Sequence, residues 1–271
     1  MTDGKEPHSA EERPLALVTG ASSGLGEGFA HRLARDGSDL ILVARRKDRL
    51  EKLAQELRTT RGVTVEVLRA DLTDDAELAV VEERVRSARL DLLVNNAGFM
   101  TPKCFADAEV GTWDAMVRLH ALASVRLARA ALSGMIERNV GGLINVASIA
   151  AFIPMPRNVL YTATKMFLVA FTEGLYQELR GTNVRVQALC PGWTRTEIVD
   201  DPSVDTSAIG WWDTVEDVVD DSLRCLKRGK LIVIPGWRSR WLVRLFRLTY
   251  RPILRWFLRH TGTHQVKMKQ E

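Results

Sequence analysis

Short apolar runs alternate along the chain with longer stretches in which apolar residues recur every three or four positions. Leu15–Thr19, Leu40–Val43, Val63–Leu68, Leu92–Val94, Leu143–Val146 and Val184–Leu189 are rich in Val, Leu and Ile. Several are apolar almost throughout, the pattern of strands covered on both faces. Between them, Leu25–Arg35, Arg46–Thr59, Asp75–Ser87, Thr112–Arg138 and Tyr161–Arg180 carry helical periodicity. This alternation predicts right-handed βαβ units, hence an α/β fold with a doubly wound parallel sheet and helices on both faces. A late strand, Leu231–Ile234, ends at Pro235-Gly236. No solenoid repeat and no Pro- or Ser-rich linker interrupts the pattern. One domain is therefore expected over residues 14–236. A loose polar tail, residues 1–13, would precede it, and a basic extension, residues 237–271, would follow.

Composition narrows the classes. With 271 residues and 46% hydrophobic content, the chain is long and apolar enough for a large buried core, which excludes fibrous and disordered proteins. Cys104, Cys190 and Cys225 are odd in number and far apart, so neither a disulfide framework nor a metal set is expected. Reduced thiols in a cytoplasmic protein fit better. The N-terminal stretch has no apolar core of a signal peptide, and no apolar run reaches the length of a membrane span. The formal charge of +4 conceals a division: from Arg224 to Glu271 there are 13 Lys or Arg against one acid. The preceding residues are net acidic, so the basic end suggests an anionic surface as partner.

The first strand runs into Thr19-Gly20-Ala21-Ser22-Ser23-Gly24-Leu25-Gly26, and a helix follows. Glycines let the backbone turn tightly and approach a pyrophosphate, while the helix N-terminus presents N–H groups to the anion. Strand before and helix after is the context a dinucleotide loop requires. The spacing Gly20-x3-Gly24-x-Gly26 resembles the short-chain dehydrogenase/reductase family, whose loop reads T-G-x-x-x-G-x-G. Other family marks follow in order. They are Asn95-Asn96-Ala97-Gly98, Ser148, Tyr161-Thr162-Ala163-Thr164-Lys165 as Y-x-x-x-K, and Pro191-Gly192-Trp193-Thr194-Arg195-Thr196 as P-G-x-x-x-T. The resemblance covers about Leu15 to Ile234 and implies a Rossmann-type oxidoreductase that interconverts a carbonyl and a hydroxyl.

The second strand ends in Ala44-Arg45-Arg46. An NAD enzyme needs an acid near this point for the ribose 2′-hydroxyl. Here Ala44 stands where the family would carry it, and Arg45 and Arg46 offer charge-assisted bonds to a 2′-phosphate. NADP(H) is expected over NAD(H), although Arg46, and less readily Arg45, would also suit the start of a solvated helix. The resemblance implies further cofactor contacts. Gly20, Ser22, Ser23, Gly24, Leu25 and Gly26 would hold the pyrophosphate, and Asp71 and Leu72 would line the adenine. Asn96, Ala97 and Gly98 would lie along the adenosine ribose. Tyr161, Lys165, Pro191, Gly192, Trp193, Thr194 and Thr196 would complete the cofactor site.

Tyr161 and Lys165 are one helical turn apart and share a face. A free tyrosine has a pKa of about 10, and a nearby ammonium would lower it toward neutral pH. By the resemblance, Tyr161 is the acid/base, Lys165 tunes it and holds the nicotinamide ribose, and Ser148 holds the substrate oxygen. One position departs from the pattern. Where the family usually carries an asparagine that anchors a water relay, partly through its backbone carbonyl, this chain has His120. An imidazole relay and a packed, hydrogen-bonded histidine are both open readings. A catalytically silent, cofactor-binding, membrane-tethered interaction protein is the second functional reading, and the intact Ser148, Tyr161 and Lys165 weigh against it.

The substrate side holds residues 197–212, which align with the family's lid and end in Ile209-Gly210-Trp211-Trp212, and Ala150–Met155 opposite. Both stretches suggest an apolar pocket for a lipophilic ketone or alcohol of fatty acyl, steroid or terpenoid type. In the extension, Arg240, Arg244, Arg247, Arg251, Arg255 and Arg259 form one helical stripe beside Trp241, Leu245 and Trp256, with a kink expected at Pro252. Peripheral binding to an anionic membrane and packing on protein are both open; nucleic acid is the less favoured partner. The resemblance implies a homo-oligomer.

Overall fold

The computed structural model describes residues 13–101, 103–153, 157–195 and 211–248. Within these residues the apolar runs form β1 (Leu15–Thr19), β2 (Asp39–Ala44), β3 (Val65–Arg69), β4 (Leu92–Asn95), β5 (Gly141–Val146), β6 (Val184–Leu189) and β7 (Ile232–Val233). They make one sheet in the order β3-β2-β1-β4-β5-β6-β7. Every pairing is parallel. The helices are α1 (Gly24–Arg35), α2 (Lys47–Arg61), α3 (Asp75–Ser87), α4 (Val110–Val117), α5 (Ser124–Glu137), α6 (Val159–Glu178), α7 (Val215–Lys227) and α8 (Trp237–Leu248).

Strand alternation divides the core into two layers. Ala16, Val18, Leu40 and Leu42 face the layer that holds Phe29 of α1, Leu50 and Leu57 of α2, and Val219 of α7. Leu17, Ile41, Val43 and Leu93 face the other layer, with Leu78 of α3 and Leu127 and Met135 of α5. Both layers remove whole side chains from water, and each such burial contributes roughly 1.5–3 kcal/mol. This two-sided demand explains why the strands read as continuous apolar runs. Local signals set the helix ends. The Asp74 carboxylate accepts from the Ala76 and Glu77 amides at the start of α3, Thr214 does the same for Asp217 at the start of α7, and α2 stops at Gly62, whose φ is +64°.

The stretch expected as one helix over Thr112–Arg138 is instead α4, a π-helical turn over Arg118–Ala123, and α5. The wider turn inserts an extra residue without breaking the helical axis, so the apolar period barely registers it. α7 was not anticipated between the sixth and seventh strands. The first turns of α8 are seated on the domain. Ser239 and Val243 are buried, and Leu242 and Phe246 pack with Ile149 and Ile153. The Arg251, Arg255 and Arg259 part of the stripe, and Pro252, lie outside the described residues.

Candidate active site

Four strand ends and the helices that follow them converge at the C-terminal edge of the sheet, on either side of the β1–β4 join where strand order reverses. β1 ends at Thr19, and the chain turns at Gly20 and Gly24 with φ of +66° and +57°. These angles are open to glycine at little cost. At Gly26 there is no room for a side chain: a Cβ would meet the Gly20 carbonyl oxygen and lie 2.6 Å from Asn96 Nδ2. Asn96 Nδ2 donates to the Thr19 carbonyl at 2.9 Å, while Thr19 Oγ1 accepts from the Asn96 and Ala97 amides at 2.9 and 3.0 Å. The turn after β4 therefore holds the glycine loop. Ser23 precedes α1 without capping it through its hydroxyl. The first-turn amides of α1 thus have no side-chain cap from Ser23, an arrangement that fits a pyrophosphate.

Arg46 closes this end. Its guanidinium donates to Ser22 Oγ at 3.1 Å, the Ser22 carbonyl at 3.3 Å and Ser23 Oγ at 2.6 Å. Arg46 rather than Arg45 is thus the arginine fixed against the loop. Arg45 is exposed and reaches Asp71 at 3.9 Å. Burial works against the Asp71 carboxylate, but hydrogen bonds from Thr73 and the charges of Arg45 and Arg69 outweigh it and hold its pKa below the usual value. Leu72 turns its side chain into the core, so only its backbone can border a nucleotide.

On the other side of the join, Ser148 follows β5 and Tyr161 and Lys165 lie in the first turns of α6. Ser148 neighbours the Tyr161 hydroxyl and favours its ionised form, and its Oγ accepts from the Ala150 amide at 3.1 Å. Lys165 Nζ is buried, donates to the Val146 carbonyl at 2.8 Å, and lies 5.6 Å from the centre of the Tyr161 ring. Burial lowers the Lys165 pKa to about 8. Burial also raises the Tyr161 pKa, with Ser148 acting against it. Burial is the largest influence on both groups, and the Lys165 ammonium donates to the Val146 carbonyl.

His120 stands in the π-helical turn and is fully buried. Its Nε2 accepts from the Phe99 amide at 3.0 Å, so Nδ1 carries the proton and donates to Thr164 Oγ1 at 2.9 Å. Thr164 donates onward to the Tyr161 carbonyl at 2.9 Å. Burial first, and the Lys165 charge second, hold the imidazole neutral, well below the usual histidine value. With both nitrogens engaged, the ring ties the Gly98–Phe99 turn to α6, an arrangement that favours positioning over an imidazole relay. Gly98 is needed for this approach: a Cβ there would lie 2.9 Å from His120 Nε2.

Pro191, Gly192, Trp193 and Thr194 follow β6, and Thr194 bridges to Asp213. Trp193 meets Trp212, the last residue of the expected lid, edge-on at 6.4 Å. Thr196, residues 197–210, and Pro154 and Met155 lie outside the described residues. Several contributors were not singled out from the sequence. Thr19 anchors the glycine loop, and its place at the end of the first strand was the available signal. Asn95 Nδ2 donates to Asn145 Oδ1 at 3.0 Å, and Asn145 Nδ2 to Thr172 Oγ1 at 2.9 Å, a buried chain that links β4, β5 and α6. Cys190 lies buried near Lys165, its thiol pushed up to about 12 by desolvation, so it faces the lysine as a neutral group.

The family model for short chain dehydrogenases matches residues 14–205. The chain belongs to this family. It is an oxidoreductase. An uncharacterized oxidoreductase of Staphylococcus aureus is 36% identical over 189 residues, 68% of this chain and 79% of that protein. Among solved structures, a short-chain dehydrogenase from Sphingobium yanoikuyae in complex with NADPH has a TM-score of 0.79 at 36% identity, covering 95% of this chain and 98% of that one. A bulky-bulky ketone specific alcohol dehydrogenase from Comamonas testosteroni has a TM-score of 0.77 at 32% identity, covering 95% and 97%. The short-chain dehydrogenase motifs thus carry the fold that the strand–helix alternation implied.

Proposed function

We propose that this short-chain dehydrogenase is an NADP(H)-dependent enzyme that interconverts a carbonyl and a secondary hydroxyl on a lipophilic substrate. The observation that carries the proposal is the convergence of Ser148, Tyr161 and buried Lys165, whose Nζ lies 5.6 Å from the centre of the Tyr161 ring. Gly20, Ser22, Ser23, Gly24, Leu25 and Gly26 would hold the pyrophosphate of the cofactor. Asp71, the Leu72 backbone and Asn96–Gly98 would border its adenosine half. Lys165, Tyr161 and the Pro191–Thr194 turn would border its nicotinamide half, with Thr196 as a further candidate. When bound, the nicotinamide supplies or takes the hydride.

The chain's own residues do the rest. Ser148 Oγ orients the substrate oxygen. Burial keeps the Tyr161 hydroxyl protonated at neutral pH, ready to donate to a carbonyl oxygen as it gains charge. His120 holds the Phe99 turn and, through Thr164, the first turn of α6 in place. Ala44 presents no carboxylate to a 2′-phosphate, and Arg46, with exposed Arg45 beside it, supplies the cationic end. The NADPH complex of the Sphingobium protein and the bulky ketone preference of the Comamonas protein support both halves of this reading. A cytoplasmic homo-oligomer is part of the same proposal.

The test is a panel of bulky apolar ketones with NADPH and with NADH, on wild type and Tyr161→Phe. Wild type should turn over with NADPH preferred by at least tenfold in kcat/KM. Tyr161→Phe should lose about 10²–10⁴-fold in kcat while still binding NADPH. Binding of NADPH without turnover on any ketone, and no effect of the variant, would favour the silent interaction protein instead.

A further inference from the structure

α8 has three faces. Ser239, Leu242, Val243 and Phe246 lie on the side against the domain, packed with Ile149 and Ile153 just after Ser148. Trp237, Trp241, Leu245 and Leu248, at spacings of four, four and three, lie on a second face and are 62%, 61%, 62% and 79% exposed. Arginines flank this apolar stripe: Arg240, Arg244 and Arg247 on one side and Arg238 on the other. Arg238 lies over the Trp237 ring at 5.3 Å, and Arg244 over the Trp241 ring at 5.7 Å, so charge and ring are offered together. Arg240 reaches Asp221 at 4.0 Å.

An exposed stripe of two tryptophans and two leucines on a soluble surface needs an apolar partner. α8 itself carries no acid, and Arg244, over the Trp241 ring, leaves the border of the stripe positive, which specifies that the partner be anionic. The rest of the chain keeps the same sign: beyond Leu248 come Arg251, Arg255, Arg259, Lys267 and Lys269 against Glu271. A helix that is apolar on one exposed face and arginine-rich at its borders lies in the headgroup region of a bilayer. Among the described residues no helix is long and apolar enough to cross one. We propose that α8 docks this enzyme on an anionic phospholipid surface, with Trp237, Trp241, Leu245 and Leu248 entering the headgroup boundary and Arg238 and Arg244 contacting lipid phosphates. Because the inner face of the same helix rests on Ile149 and Ile153, docking would bring the Ser148 side of the protein next to the lipid, where apolar substrates concentrate.

The full-length protein is sedimented with vesicles of phosphatidylcholine alone and of phosphatidylcholine with phosphatidylglycerol, at low and high salt. The expected result is binding to the mixed vesicles, weakened by salt, with little binding to phosphatidylcholine. Trp237→Ser/Trp241→Ser, which leaves the inner face of α8 intact, should weaken partition by roughly tenfold or more. Arg238→Glu/Arg244→Glu should weaken it by about fivefold per arginine or more. Thermal melts of both variants should match wild type, so that lost binding reads as lost docking. Wild-type protein that stays in the supernatant with the mixed vesicles overturns the proposal. So does a tryptophan variant that binds as well as wild type, which would reduce the contact to charge adsorption. A wild type that ignores vesicles while the tryptophan variant falls to a smaller oligomer would assign the face to a second copy of the chain. Turnover plays no part in these outcomes, so they stand apart from the proposed reaction.

Discussion

Lys165 holds its amino group out of water against the Val146 carbonyl, and its pKa falls from 10.5 to about 8. Between these two values the unfolded chain binds the proton and the folded one does not, so stability rises with pH across that window. Below about 8 the full cost of burying the ammonium remains, on the order of 3 kcal/mol. In Lys165→Met the titration is gone. Denaturant unfolding of the two proteins at neutral pH and near pH 10 should therefore show wild type gaining about 2–3 kcal/mol on the variant as pH rises; a constant difference would mean that the lysine is not desolvated. His120 shows the limit of reading such residues from sequence. Its position in the family pattern was legible, but its tautomer was not, because that depends on the Phe99 amide and Thr164, residues 21 and 44 positions away.

The glycine loop and α1 behave as one element because Asn96 fastens the loop from the far side of the β1–β4 join. Gly26→Ala would press a methyl group against the Gly20 carbonyl and Asn96 Nδ2. The expected result is a loss of about 1–3 kcal/mol of stability, seen as a lower Tm, together with NADPH binding at least tenfold weaker by titration. Unchanged NADPH affinity would remove this loop from the cofactor site. At this scale the sequence was most informative where the physics is local. β1, β6 and α3 fall on the expected Leu15–Thr19, Val184–Leu189 and Asp75–Ser87, since full burial writes a strand as an apolar run and Asp74 marks a helix start. α7 was missed although Thr214 caps it and Val218, Val219, Ser222, Leu223 and Leu226 keep helical spacing. The π-helical turn around His120 left no sequence mark, since one extra residue in a turn shifts the apolar phase less than ordinary irregularity does.

At the scale of the whole molecule, one group of exposed apolar residues lies along α4, the π-helical turn and α6. Val110, Val117, Leu122, Met166 and Phe167 are exposed there, and Phe167 stacks on Phe171 at 6.0 Å. For the homo-oligomer that the family resemblance implies, we propose that these residues supply an apolar contact face. Phe167→Glu should shift the protein to a smaller species by light scattering without lowering the helix content; an unchanged mass would place the interface elsewhere. The sheet itself has one further consequence. Thr19 and the glycine loop follow a strand of one half of the sheet, and Ser148, Tyr161 and Lys165 follow a strand of the other, and the two halves of the sheet meet where Ala16, Leu17 and Val18 align with Leu92, Leu93 and Val94. A contact of such long range is entropically slow to close. Until it closes, the glycine loop lacks the Asn96 bonds that hold it, so native topology and the shape of the nucleotide cradle form together.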